Sequence, residues 1–192
     1  MTDYFALLAQ PRHPWLDPEK LKQAFHQATL RAHPDARGPE VDRSHAEDAF
    51  AQINEAYQIL QDPRRRLHHL LSLEGQAPSA GSGEIPSEIS DVFEIVAVAT
   101  QAANGAIQKA AVATSSLSRA LVRAAVLDAG EQVERTLEML LSLRNASDAE
   151  LEKLGASQAD LTALHGLYLR YSFLLRWIDQ LEEWKTRVSA LL

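Results

Sequence analysis

Two runs of apolar residues at helical spacing, interrupted by His33-Pro34-Asp35, constrain this chain more than any other feature. Before the interruption Leu21, Phe25, Ala28 and Ala32 recur at intervals of three and four; after it Ala46, Ala49, Phe50, Ile53, Tyr57 and Leu60 do the same. Proline has no amide hydrogen and drives the residue before it out of the helical region, so His33 ends the first of these helices and Asp35 stands clear of it. Two antiparallel helices with two polar side chains at an exposed turn are the expected result.

The rest of the chain repeats the helical period. Valine and isoleucine nowhere alternate with polar residues over a strand length, and 8 Gly and 8 Pro in 192 residues leave few turns, so the fold class is all-α. A short helix over about 2–9, with Tyr4, Phe5, Leu7 and Leu8 on its apolar side, ends before Pro11 and Pro14. Asp17-Pro18 starts the next as a cap followed by proline in the first turn. That helix carries Lys20, Lys22, His26 and Arg31 outward, with Glu19 as its only acid. Asp42 or Ser44 caps the third helix, and Asp62-Pro63 opens a fourth whose first turn holds Arg64, Arg65 and Arg66. Three cations there oppose the helix dipole by roughly 0.3 to 1 kcal/mol each when exposed. Pairing with Glu47, Asp48 or Glu55, or an outside partner, would offset that cost.

Residues 76–88 are rich in Gly, Ser and Pro and form a linker. The domain assignment is therefore 1–75, a linker over 76–88, and a helical domain over 89–192. Three helices are expected after the linker. The first carries Ile89, Val92, Phe93 and Val96, and a long middle one carries Leu117, Leu121, Val122, Val126, Val133, Leu137, Leu140 and Leu141. The last has a coiled-coil seam of Leu161, Leu164, Tyr168, Tyr171, Leu175 and Ile178, expected to fold back on the middle helix as the core of a bundle.

Composition excludes several classes of function. There is no cysteine, hence no disulfide, thiol chemistry or Cys-ligated metal or iron-sulfur centre. A net charge of −7 without a basic stripe argues against nucleic acid. The most apolar stretch, Val92 to Thr114, contains Glu94, Gln101, Asn104, Gln108 and Lys109 and does not read as a membrane span. Residues 1–20 resemble neither a secretory nor a transit segment, so the cytoplasm is the expected compartment. No nucleophile accompanies His33, and the seven histidines are not spaced as ligand pairs. Neither an enzyme, a cofactor nor a metal is expected.

The first 75 residues resemble a J domain, the module by which DnaJ-type co-chaperones stimulate the ATPase of DnaK-type chaperones. The matching residues are Asp3-Tyr4-Phe5, Leu7-Leu8, Leu21, Phe25, His33-Pro34-Asp35, Ile53-Asn54-Glu55-Ala56-Tyr57, Leu60 and Asp62-Pro63. With Leu70-Leu71-Ser72-Leu73-Glu74-Gly75, they are similar to the HscB-type co-chaperones of iron-sulfur cluster assembly, over about two fifths of the chain. Ala32 and Ala36 depart from the tyrosine and lysine that commonly flank the tripeptide.

The resemblance implies a J domain followed by a three-helix bundle, and two partners. His33, Pro34 and Asp35, with Lys20, Lys22, His26 and Arg31, would contact a DnaK/HscA-type chaperone. Val92, Phe93 and Val96, with Phe173 of the last helix, would contact an iron-sulfur scaffold protein. Most of the glutamates that flank this face in the family are missing here, since Glu94 is followed by Ile95-Val96-Ala97-Val98-Ala99-Thr100. A J-domain protein with another client, or a structural adaptor, is the alternative.

Overall fold

The computed structural model describes residues 1–32, 43–78, 87–155 and 160–192. Among them all regular structure is helical: α1 (Tyr4–Leu7), α2 (Pro18–Ala32), α3 (Arg43–Gln61), α4 (Pro63–Leu73), α5 (Ser90–Val112), α6 (Ser116–Gly155) and α7 (Leu161–Ser189). A single 3-10 turn, Ser87–Ile89, leads into α5. The chain divides into two compact units, Met1–Ser82 with Asp148–Tyr168, and Gly83–Ser147 with Leu169–Leu192.

In the first unit the starts of α1, α2 and α4 are each fixed by an aspartate. Asp3 Oδ1 accepts from the Phe5 and Ala6 amides at 3.0 and 3.2 Å, Asp17 Oδ1 from Glu19 and Lys20 at 2.9 and 3.2 Å, and Asp62 Oδ1 from Arg65 at 2.8 Å. These bonds satisfy amides that have no partner within a helix. At the end of α4, Gly75 takes φ +74°, and the amides of Gly75 and Gln76 donate to Ser72 and Leu71. That closure requires the left-handed conformation that glycine adopts without strain. Helix α3 packs against α1, α2 and α4. Phe5, Leu8, Leu21, Ile53, Ala56, Leu60, Leu67 and Leu71 are buried in this unit. Phe25 of α2 stacks on Tyr57 of α3 with ring centroids 4.4 Å apart, which pins the hairpin partway along its length. Phe50, expected on the inner stripe of α3, is 44% exposed.

In the second unit α5 buries Val92, Val96, Ala99, Ala103 and Ala106, alternating steps of four and three. They meet Val126, Ala129, Val133, Leu137 and Leu140 of α6 and Leu174, Trp177, Ile178 and Leu181 of α7 in one cluster. The alanines on α5 leave room for close helix approach.

Two expectations about apolar patterning are corrected. Leu117 and Leu121 are 71% and 67% exposed, because α6 enters the cluster only farther along, with Val122 at its margin and Val126 inside it. On α7 the buried series is Leu164, Leu167, Tyr171, Leu174, Ile178 and Leu181. It shares Leu164, Tyr171 and Ile178 with the expected seam but takes Leu167 and Leu174 in place of Tyr168 and Leu175. Both pairs are apolar at helical spacing, so periodicity does not choose between them. What decides is the side of α7 that packing covers, and Tyr171, common to both series, is covered with Leu167 and Leu174.

Candidate functional site

His33, Pro34 and Asp35 lie outside the described residues; the flanking helices are described. Helix α2 ends at the buried Ala32, and within α3 Asn54 Nδ2 donates to the Phe50 carbonyl one turn back at 3.0 Å. Lys20, Lys22, His26 and Arg31 are all exposed. They do not share one face. At 3.6 residues per turn, Lys20 and Arg31 fall on one flank of α2 and Lys22 and His26 on the other, roughly 150° apart around the axis. Lys20 and Arg31 border the groove toward α1, beside Leu8 and Gln10.

Helix α1 is held to α4 by a histidine that sequence reasoning passed over. His69 is buried, its Nε2 accepts from the Tyr4 amide at 3.1 Å, and its ring lies 4.7 Å from Tyr4 and 5.6 Å from Phe5. Asp3, beside it, is bridged to Arg12 at 2.7 Å. Burial would raise the Asp3 carboxyl, but Arg12 and the Ala6 and Phe5 amides together hold it below the usual value. Burial pushes His69 below its ordinary 6.5, assisted by His68 and Arg12 and opposed by Asp3. An imidazole that accepts a backbone hydrogen bond through Nε2 is neutral there.

A pH dependence follows. Below an unfolded pKa of about 6.5 the unfolded chain binds a proton that folded His69 refuses, so stability is full above that value and declines as pH falls toward the folded one. Denaturation midpoints measured between about pH 7.5 and 5.5 should fall on acidification, and His69→Gln, which keeps an acceptor but does not titrate, should flatten the slope. Equal slopes for the two proteins would remove His69 as the cause.

The arginine run at the start of α4 divides. Arg64 is half-buried and Arg65 exposed, while Arg66 is buried with its guanidinium turned inward. Arg66 Nε donates to the Pro14 carbonyl at 2.8 Å and Nη1 donates to the Leu60 carbonyl. Its bonds thus include backbone carbonyls, where pairing with acids or an outside partner was expected from the sequence.

In the second unit the four residues expected to face a client are split. Val92 and Val96 are core, Phe93 is 51% exposed, and Phe173 is half-buried against the core with the Arg176 guanidinium 5.4 Å from its ring centre. Trp177 links the two phenylalanines, with ring centres 6.3 Å from Phe93 and 5.6 Å from Phe173. A groove of about 470 Å³ runs between α5 and α7, walled by Phe93, Val96, Ala97, Trp177 and Trp184. No charged side chain lines it among the described residues. Thr100 Oγ1, also in its wall, is buried without a hydrogen-bond partner among the described residues. The sequence signal for the two tryptophans was their seven-residue separation on α7, which places both on one face.

Residues 3–69 match the family model described as the DnaJ domain. Over 75 residues the chain is 45% identical to a Vibrio cholerae protein named co-chaperone protein HscB homolog, covering 38% of this chain and 44% of that one. Over 95 residues it is 33% identical to the chaperone protein DnaJ of Campylobacter hominis, covering 49% of this chain and 25% of that one. These alignments span a quarter to under half of the relatives' lengths. Among solved structures, chaperone HscB from Vibrio cholerae superposes with a TM-score of 0.64 at 22% identity, covering 97% of this chain and 99% of the other, a likeness of fold.

Proposed function

We propose that this chain is a J-domain co-chaperone of the HscB type, which stimulates ATP hydrolysis by a DnaK/HscA-type chaperone and delivers an iron-sulfur scaffold protein to it, in the cytoplasm. The observation that carries this reading is the J-domain match over 3–69 with His33-Pro34-Asp35 between α2 and α3. In this reading residues 1–75 engage the chaperone, 89–192 the client, and 76–88 join them. The protein itself performs no chemistry; it changes the rate of its partner.

The cations of α2 act by steering. Exposed charges are screened over about 8 Å at physiological salt, so affinity for the chaperone should fall as salt rises. Reversing Lys22 and Arg31 to Glu, one from each flank of α2, should weaken binding further with melting nearly unchanged. Salt-independent affinity would count against both flanks.

Phe93 is the anchor of the client surface, supported from below by Trp177. Because Phe93 is half open, Phe93→Ala should cost much less than the 3 to 5 kcal/mol typical of a buried phenylalanine, about 1 kcal/mol. It should weaken scaffold binding by about thirtyfold, the effect of losing roughly 2 kcal/mol from an interface anchor. The test is a titration of the full chain and of Phe93→Ala with the scaffold protein, alongside melting. A folded variant that binds as tightly as the parent would remove this surface. One observation favours a different client: no charged side chain lines the groove among the described residues, whereas the resemblance implies flanking glutamates. Failure of the parent to bind the scaffold, with chaperone stimulation intact, would select that reading.

A further inference from the structure

A second concave surface, in the first unit and independent of the client groove, carries the opposite chemistry. Ile59 of α3, Arg64, Arg65 and His68 of α4 and Tyr168 of α7 line a hollow of about 390 Å³, with His69 at its floor already committed to the Tyr4 amide. We infer that this hollow binds a small phosphate ester, the oxyanion held by Arg64, Arg65 and His68 and the organic part lying against Tyr168.

Four features support the assignment. First, no carboxylate lines the hollow among the described residues, although the chain as a whole carries −7. Asp62, the nearest acid in sequence, points its Oδ1 to the Arg65 amide as a helix cap. Second, neither the Arg64 nor the Arg65 guanidinium has an ion-pair partner among the described residues, in a first turn where the helix dipole disfavours positive charge; Arg65 is within electrostatic reach of Tyr4, whose hydroxyl donates to Glu55. Arg66, the third of the run, is turned into the core and adds nothing to this surface. Third, His68 is one helical turn beyond Arg64 and Arg65, at spacings of four and three, which puts all three donors on one side of α4. Three converging donors suit the three oxygens of a phosphate dianion better than a single carboxylate. Fourth, the His68 and Tyr168 rings are 5.7 Å apart and inclined at 52°, which puts the Tyr168 ring beside the cations as an aromatic surface. The volume falls within the range of roughly 300 to 1,000 Å³ usual for small-ligand sites, so an organic group fits beside the phosphate.

The test is calorimetric titration of the full chain at low salt with pyrophosphate, with ADP as a flat-ringed phosphate ester, and with citrate. The expected result is saturable binding of pyrophosphate and tighter binding of ADP. Arg64→Ala with Arg65→Ala should weaken both by about tenfold or more, since each arginine contributes a charge-assisted bond. Tyr168→Ala should weaken ADP and leave pyrophosphate unchanged. Arg65 is exposed and Arg64 half-buried, and melting curves of the variants verify that they fold. No saturable binding of either phosphate by the parent, or equal affinity in the double-arginine variant, would overturn the site. Citrate binding as tightly as pyrophosphate would overturn the choice of phosphate over carboxylate. ADP affinity indifferent to Tyr168 would overturn the placement of the organic group.

Discussion

Arg66→Ala is expected to destabilise the first unit by about 3 to 5 kcal/mol, the cost of dismantling a buried charge hydrogen-bonded to two backbone carbonyls. Only 5% of Arg66 is exposed, and its guanidinium joins two segments distant in sequence: the Pro14 carbonyl before α2 and the Leu60 carbonyl in the last turn of α3. Truncation leaves both oxygens buried without a donor and opens a cavity beside Leu67 and Leu70. Arg66→Lys retains the charge but replaces the planar fork with a single point donor, so it should recover only part of the loss. The neighbours are the control. Arg64→Ala and Arg65→Ala should each stay within about 0.5 kcal/mol of the parent, as surface substitutions do. Denaturant titration of the four variants decides the matter; an Arg66→Ala protein within about 1 kcal/mol of the parent would mean that these bonds contribute little to the fold.

Three adjacent arginines with such different expected costs illustrate what could be read from residue order alone. Helix positions followed from local chemistry, because Asp3, Asp17 and Asp62 act on amides two or three residues away and Gly75 closes its own helix. The pairing of α2 with α3 was legible as well, through the spacing that brings Phe25 onto Tyr57. What residue order did not carry was the choice among equivalent apolar positions. Tyr168 and Leu175 fit the heptad as well as Leu167 and Leu174, and only the neighbouring helices decide which pair is inside. Polar anchors were missed for the same reason. Arg66 and His69 bond to backbone groups 52 and 65 residues away, and a carbonyl or amide leaves no mark in a sequence. At the proposed client surface, Val92, Phe93 and Val96 are neighbours by spacing, yet one step around the helix separates two core valines from a half-exposed phenylalanine.

The largest functional effect is expected at His33. Proline at 34 fixes its own φ and disfavours helix at the residue before it, and from the sequence this is the reason to expect a turn that a partner can reach. Glutamine keeps a polar side chain of similar reach but replaces the ring, so His33→Gln alters the contact with little reason to disturb α2 or α3. The α2 flanks and the Phe25–Tyr57 stack remain in that variant, which separates loss of the tripeptide from loss of the hairpin. The most direct measurement is the single-turnover rate of ATP hydrolysis by a DnaK/HscA-type chaperone, alone, with the parent protein, and with a His33→Gln protein of matched melting temperature. The parent is expected to raise the rate and the variant to leave it at the unstimulated value. A folded His33→Gln protein that stimulates hydrolysis as strongly as the parent would contradict the account.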